Sequence, residues 1–347
     1  MILDKFLTLR LGLCSTPPGG FGGASLPFIK EKVAAMCNNT TACVCYSNSN
    51  FENYGNNDSF SPYIFISWSA SMAVAILSPV AVVGNALVLA AIWRNPSLRT
   101  PSYILLAGLA FTDFSTGLIS QPFFATMELM SLSGSPDNPA VVAIVKGSTT
   151  YFIPTTTSII TLMSIERWLH MTRRTLLTVS RVYSALAVLY LVILPFPICR
   201  VLSAFNNKQV TDIAYMSFIL ACLTVTSTAY VKVFRLIRRH QQQIRSNCFS
   251  RPTAQPTINI VKYRKSVHTV LYILAIFYVS YTPIGITFVL SVTLGNEFKS
   301  LTASLFDLSL MFVFLSSSFN PFLYLWRMND IRNEIARLVK IIFHKDN

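Results

Sequence analysis

Glu166-Arg167-Trp168 sets an acid beside a base where the long apolar run Val141 to Ile165 gives way to basic sequence. Leaving such charges unpaired near hydrocarbon is expensive, so a pair at this position marks a switch, a pathway or an anchor. Other polar groups interrupt apolar stretches elsewhere: Asn85 in Val83-Gly84-Asn85-Ala86, Asp113 in Leu109-Ala110-Phe111-Thr112-Asp113, and Asn320 opening Asn320-Pro321-Phe322-Leu323-Tyr324. Each needs a partner in lipid. Thr156 precedes Arg167 by about three helical turns and so shares its face. From there its hydroxyl can join Asp113 and Asn320 in a polar cavity able to hold water or a cation such as sodium. Pro283 and Pro321 fall inside two further stretches, where each frees a backbone carbonyl and makes a pivot. The chemistry on offer is charge pairing and hydrogen-bond exchange. Catalysis is a poor fit, since His170, His240, His268 and His344 are scattered without ligand spacing.

The elements holding these groups follow from composition. The 347 residues are 52% hydrophobic and only 12% charged, with a mean hydropathy of +0.51, outside the range of soluble domains. About 20 apolar residues span a bilayer core, and seven such stretches are present, near 63–92, 101–128, 139–165, 182–204, 211–237, 266–294 and 301–325. The expected fold is an all-α membrane protein: a seven-transmembrane-helix bundle at 63–325, with tails at 1–62 and 326–347.

Orientation follows the basic residues of the short loops. Arg94 and Arg99, then Arg173, Arg174 and Arg181, then Arg238, Arg239, Arg245, Lys262, Arg264 and Lys265, then Arg327, Arg332, Arg337 and Lys340 follow the odd-numbered spans; the opposite loops hold only Lys208 and Lys299, with Arg200 at a span end. The first set is expected in the cytosol and the N-terminus outside. This topology explains much of the net charge of +14, so nucleic acid is not an expected partner. The N-terminal tail carries glycosylation sequons at Asn38, Asn39 and Asn57, and also Cys14, Cys37, Cys43 and Cys45, which an oxidising compartment would allow to pair with one another or with Cys199. Phe6 to Leu13, broken by Arg10, makes a poor signal-peptide core, so the first span is expected to direct insertion. After the seventh span, Ile331, Ile335, Leu338, Val339 and Ile342 recur at helical spacing against Arg332, Glu334, Arg337 and Lys340, which reads as an amphipathic helix in the inner bilayer interface.

Taken in order, Gly84-Asn85, Leu109-Ala110-x-x-Asp113, Glu166-Arg167-Trp168, Tyr230, Phe277 with Ser280-Tyr281-Thr282-Pro283, and Asn320-Pro321-x-x-Tyr324 resemble the rhodopsin-like (class A) G-protein-coupled receptors over about residues 63 to 343. The resemblance implies that Arg167 is an ionic-lock arginine held by Glu166 at rest, with Tyr230 and Tyr324 turning towards it on activation. It implies a sodium pocket at Asp113, Asn85, Thr156 and Asn320, and a packing switch at Phe277 and Tyr281. It also implies an extracellular ligand and a cytosolic heterotrimeric G protein as partners, with no cofactor beyond allosteric sodium. A buried Glu–Arg pair suits a switch, because desolvation nearly cancels its attraction and a ligand need shift the balance only slightly.

Departures from the family pattern are informative. Tyr281 replaces the usual Trp, and Trp168 the usual Tyr; the fourth span lacks its Trp, and Cys222 stands for the proline of the fifth. Val142 occupies the position of the usual bridging cysteine, and the second outer loop, about Ala204 to Asp212, has none. Loss of both that disulfide and that proline resembles the melanocortin, lysophospholipid and cannabinoid branch. Thr149 and Thr150 stand where amine receptors carry an Asp, which disfavours an amine, and the run from Ala303 to Asn320 lacks the lysine of an opsin. Tyr215, Phe218, Phe288, Leu310 and Phe314 offer an aromatic and apolar lining, with Glu128, Lys146 and Asp307 at its rim. Lys146 would suit an anionic headgroup, and hence a lipid mediator or a peptide carboxylate. A seven-helix transporter or channel is the alternative; it predicts paired mid-membrane charges and inverted repeats, and the chain offers one mid-span acid and no repeat.

Overall fold

The computed structural model describes residues 62–133, 135, 138–172, 177–201, 208–250, 272, 275–290, 293 and 299–343. Asn38, Asn39, Asn57 and the tail cysteines lie outside them. The helices are α1 (Pro62–Arg94), α2 (Pro101–Ser115), α3 (Gln121–Leu132), α4 (Pro139–Met171), α5 (Val179–Ile193), α6 (Pro195–Val201), α7 (Lys208–Ser250), α8 (Ala275–Leu290), α9 (Lys299–Arg327) and α10 (Asn329–Phe343). A five-residue π-helical turn, Thr116–Ser120, joins α2 to α3, so the two form one span. The fourth span breaks at Leu194, ahead of Pro195, into α5 and α6. The molecule is a seven-transmembrane-helix bundle.

Local chemistry sets the helix starts. Pro101 and Pro139 occupy first-turn positions where a missing N–H costs nothing. Asn138 caps α4 by accepting from the Ala140 N–H at 2.9 Å, and Thr178 accepts from the Arg181 N–H at 3.4 Å to open α5. At the far end, α4 runs on to Met171. Glu166-Arg167-Trp168 therefore lies within the last turns of a helix, and the end expected at Ile165 is corrected: nothing after Ile165 breaks helix geometry, and polarity alone does not stop a helix.

Among the described residues, five helical segments are long and apolar enough to cross a membrane, whereas α4 is not one of them despite its 33 residues. Its run Thr155, Thr156, Thr157 and Ser158 lowers its hydropathy, yet all four are buried. α4 occupies the centre of the bundle, where neighbouring helices rather than lipid surround it. Its hydroxyls are satisfied locally or across the interface: Thr161 accepts or donates at 3.0 Å to Thr226 on α7 and donates to the Cys222 carbonyl at 3.3 Å. α1 and α9 approach closely at Gly84, where a Cβ would stand 2.8 Å from Pro321. On α10, Ile331 and Ile335 are buried against the bundle, while Val339 and Ile341 remain exposed. The apolar stripe expected on this helix thus divides between protein and surroundings.

Candidate functional site

Asp113 is fully buried on α2, and the Asn320 amide of α9 donates to its Oδ2 at 2.7 Å. Ser317 stands beside the same carboxylate. Asn85 on α1 donates to two carbonyls, Ala81 at 2.9 Å and Ser317 at 3.0 Å, and so ties α1 to α9 one turn before Pro321. This leaves acceptors over: Asp113 Oδ1 and Asn85 Oδ1 are buried without a hydrogen-bond partner, as are Ser120 Oγ, Gln121 Oε1 and the Tyr324 hydroxyl. Buried polar atoms without partners are rare and mark strain, ordered water or an ion. Oxygen atoms of a carboxylate and an amide are what a hard cation takes.

Tyr281 on α8 lies within electrostatic reach of Asp113, and Thr156 stands against it. Thr156 therefore meets the polar centre through Tyr281, whereas spacing alone had it joining Asp113 and Asn320 directly. Phe277 and Tyr281 stack with ring centroids 4.3 Å apart, both buried. Pro283 follows within α8, and its carbonyl accepts from Thr287 at 2.9 Å.

At the basic end of the bundle the Glu166 carboxylate is held on two sides. Ser102 of α2 donates to Oε1 at 2.7 Å, and Arg167 Nε lies 3.6 Å from Oε2. The first is a short charge-assisted hydrogen bond and the second a looser ion pair. Tyr230 on α7 is buried beside Ser164, within electrostatic reach of both Arg167 and Glu166. Trp168 turns to α7, packing with Met171 and Val233 under the Lys232 ammonium, 4.6 Å from its ring centroid.

Residues 84–324 match the family model of the 7 transmembrane receptor (rhodopsin family). The chain belongs to that family. The receptor is similar to melanocortin receptor 5 of Mus musculus, at 22% identity over 76% of this chain and 82% of the relative. It is similar also to adenosine receptor A2b of Rattus norvegicus and of Homo sapiens, each at 22% identity over 76% of this chain and 87% of the relative. Members of the family are G-protein-coupled receptors, not enzymes, and nothing in these matches favours a transporter or channel. The protein is a receptor that couples binding of an extracellular ligand to a G protein.

Several contributors to the receptor's polar centre carried no sequence signal. Ser102 and Ser317 are ordinary serines until the helices assemble. Gln121 follows the π turn and donates to the Phe314 carbonyl at 3.1 Å. Tyr190 of the fourth span reaches across to α2: its hydroxyl donates to the Gly108 carbonyl at 3.0 Å, lies 3.2 Å from Thr112 Oγ1, and its ring meets Phe111 edge-on.

The residues considered for ligand contact fall into two groups. Leu310 and Phe314 are wholly buried, Phe314 against Phe124 at 5.4 Å, and Thr149 turns its hydroxyl to the Val145 carbonyl of its own helix. Phe218 packs with Phe196 at 6.3 Å. Asp307 is buried and accepts from Ser67 at 3.4 Å. Glu128, Lys146, Tyr215 and Phe288 are each engaged by a neighbour, and Thr150 is buried.

Proposed function

We propose that the receptor is a plasma-membrane protein with its N-terminus outside, and that it signals by releasing Arg167 from Glu166 towards a heterotrimeric G protein. The observation that carries this reading is the double hold on Glu166, by Ser102 at 2.7 Å and Arg167 at 3.6 Å. Such a pair is a weak stabiliser and a good two-state element, since breaking one contact redistributes the charge without unfolding the helix. The Asp113–Asn320 bond couples α2 to α9, and Tyr281, Phe277, Tyr230, Pro321 and Tyr324 link that centre to the two ends.

Asp113 with Asn85, and with Asn320 and Thr156 alongside, fits sodium: the two unpartnered oxygens are hard donors in a buried site. A bound cation would supply positive charge to the Asp113 carboxylate. The ligand is a lipid mediator or a peptide rather than an amine, because Thr149 and Thr150 stand where an amine receptor carries its Asp in the outer part of α4, and Lys146 on an outer turn of the same helix suits a headgroup or carboxylate.

The test is Arg167→Ala with surface expression and ligand binding measured beside G-protein dissociation. Retained binding with lost coupling is the expected result; normal coupling sinks the mechanism. A screen of lipids and peptides run on the wild type and Lys146→Ala tests the ligand class, and unchanged potency for an anionic ligand removes Lys146 from the site.

A further inference from the structure

Trp168 stands where the family pattern has tyrosine, and the release of Arg167 makes no use of it. It belongs to a seam between α4 and α7. Thr161, Ser164, Trp168 and Met171 follow one another at steps of three or four residues, so they share one face of α4. Thr161 Oγ1 lies 3.0 Å from Thr226 Oγ1, Ser164 stands beside Tyr230, and Trp168 and Met171 pack with Val233. On α7 those partners recur at the same spacing.

The seam changes character along its length. Nearer the bundle centre it is held by hydroxyls that bond across the interface and fix a register; at the basic end it is apolar, and apolar packing has no direction. Lys232 supplies a directional contact there, its ammonium 4.6 Å from the Trp168 ring centroid. Within about 6 Å a cation is drawn to a π face, and indole is the strongest of the aromatic side chains in this respect. The tyrosine of the family pattern would hold the same cation less strongly. Lys232 is exposed, and among the described residues no acid is paired with it. No carboxylate therefore competes with the ring.

Position ties this contact to the switch. Trp168 directly follows Arg167 on α4, and Lys232 lies two residues beyond Tyr230 on α7. Tyr230 is itself buried, within electrostatic reach of Arg167 and Glu166. Arg167 is paired with Glu166 in the same structure, so the cation–π contact coexists with the resting arrangement. Moving α7 from α4 at this end by roughly 2 Å would carry the ammonium past the reach of the ring and withdraw Tyr230 from Ser164. Both contacts are lost in one motion.

We propose that Trp168 is a positioning residue: with Lys232 over its indole it holds α7 against α4 at rest, keeps Tyr230 seated, and so lowers ligand-independent signalling. This role presupposes that Arg167 and Glu166 form the switch. The test uses the full chain in nanodiscs without ligand, with nucleotide exchange read on whichever heterotrimer of a purified G-protein panel the wild type stimulates most. Lys232→Met keeps the length and the apolar stem and removes the cation; Lys232→Arg keeps a cation for the ring. Lys232→Met should raise basal exchange by roughly two- to fivefold, leave the melting temperature unchanged, and speed amide hydrogen exchange in α7 between Val231 and Arg239. Lys232→Arg should behave as wild type, and Lys232→Met should add nothing in a Trp168→Leu background. Equal effects of the two Lys232 variants, additivity with Trp168→Leu, or unchanged basal and amide exchange in Lys232→Met overturns the role. A fall in basal exchange overturns it too, by making Lys232 a contact of the G protein. Arg167→Ala is run alongside: normal coupling there defeats the switch itself, while amide exchange still reads the tie between α4 and α7. Lost coupling in Arg167→Ala beside an unaltered Lys232→Met defeats only the role of Trp168.

Discussion

Gly84 of α1 lies so close to Pro321 of α9 that a Cβ on it would stand 2.8 Å from both Cβ and Cγ of the proline ring. Neither side can yield, since the ring is rigid and α1 is held one residue further on by Asn85. The two motif residues that look unrelated in the chain are thus one contact. Gly84→Ala should destabilise the receptor by about 1–3 kcal/mol, read as a lower melting temperature and reduced surface expression; a variant as stable as wild type would show that α1 can shift away.

Ser102→Ala removes the shorter of the two contacts on Glu166 and leaves the looser Arg167 pair. A hydrogen bond to a charged group contributes about 1.5–3 kcal/mol, of which only the part specific to the resting state biases the switch. Ligand-independent nucleotide exchange should rise severalfold, and Ser102→Thr, which keeps the hydroxyl, should restore it. Lower expression with unchanged basal exchange would assign Ser102 a purely structural role.

Asp113→Asn keeps an oxygen for the Asn320 amide and removes the carboxylate charge. The variant should fold and should lose any response of basal signalling to replacing sodium with a large organic cation. Undiminished sodium sensitivity would take Asp113 out of the cation site.

Arg327, at the end of α9, is clasped by rings: its guanidinium carbon lies 5.0 Å from the centroid of Tyr272 and 5.1 Å from that of Trp326, and those rings are 5.4 Å apart. Its Nε is buried without a hydrogen-bond partner, so the rings are its main company. Cation–π contacts contribute about 0.5–2 kcal/mol each. Tyr272→Ala should loosen the sixth span from α9 and raise basal exchange, while Tyr272→Phe, with its ring intact, should behave as wild type. Equal effects of the two would trace the change to the hydroxyl and refute the clasp.

Much of this receptor is legible in the chain because lipid imposes simple rules. Apolar length, basic loops and isolated polar residues locate spans, and the order of Gly84-Asn85, Asp113, Glu166-Arg167 and Asn320-Pro321 identifies the family. Asp113 and Asn320 are in fact bonded, and Phe277 and Tyr281 are in fact stacked. Legibility fails where a residue acts through a partner far away in sequence. Ser102 lies 64 positions from Glu166, and no periodicity connects them. Thr156 was placed by its own helix face, but whether it meets Asp113 or Tyr281 depends on how deeply α8 inserts.

By itself the sequence determined the solvent, the helices and the family, because hydrophobic run length and the charge of short loops act locally and additively along the chain. Only the tertiary structure decided how Glu166 is held and which oxygens at Asp113 and Asn85 remain unpartnered. Those outcomes turn on side chains from different helices meeting within about 3 Å, a distance fixed by packing at contacts such as Gly84 against Pro321.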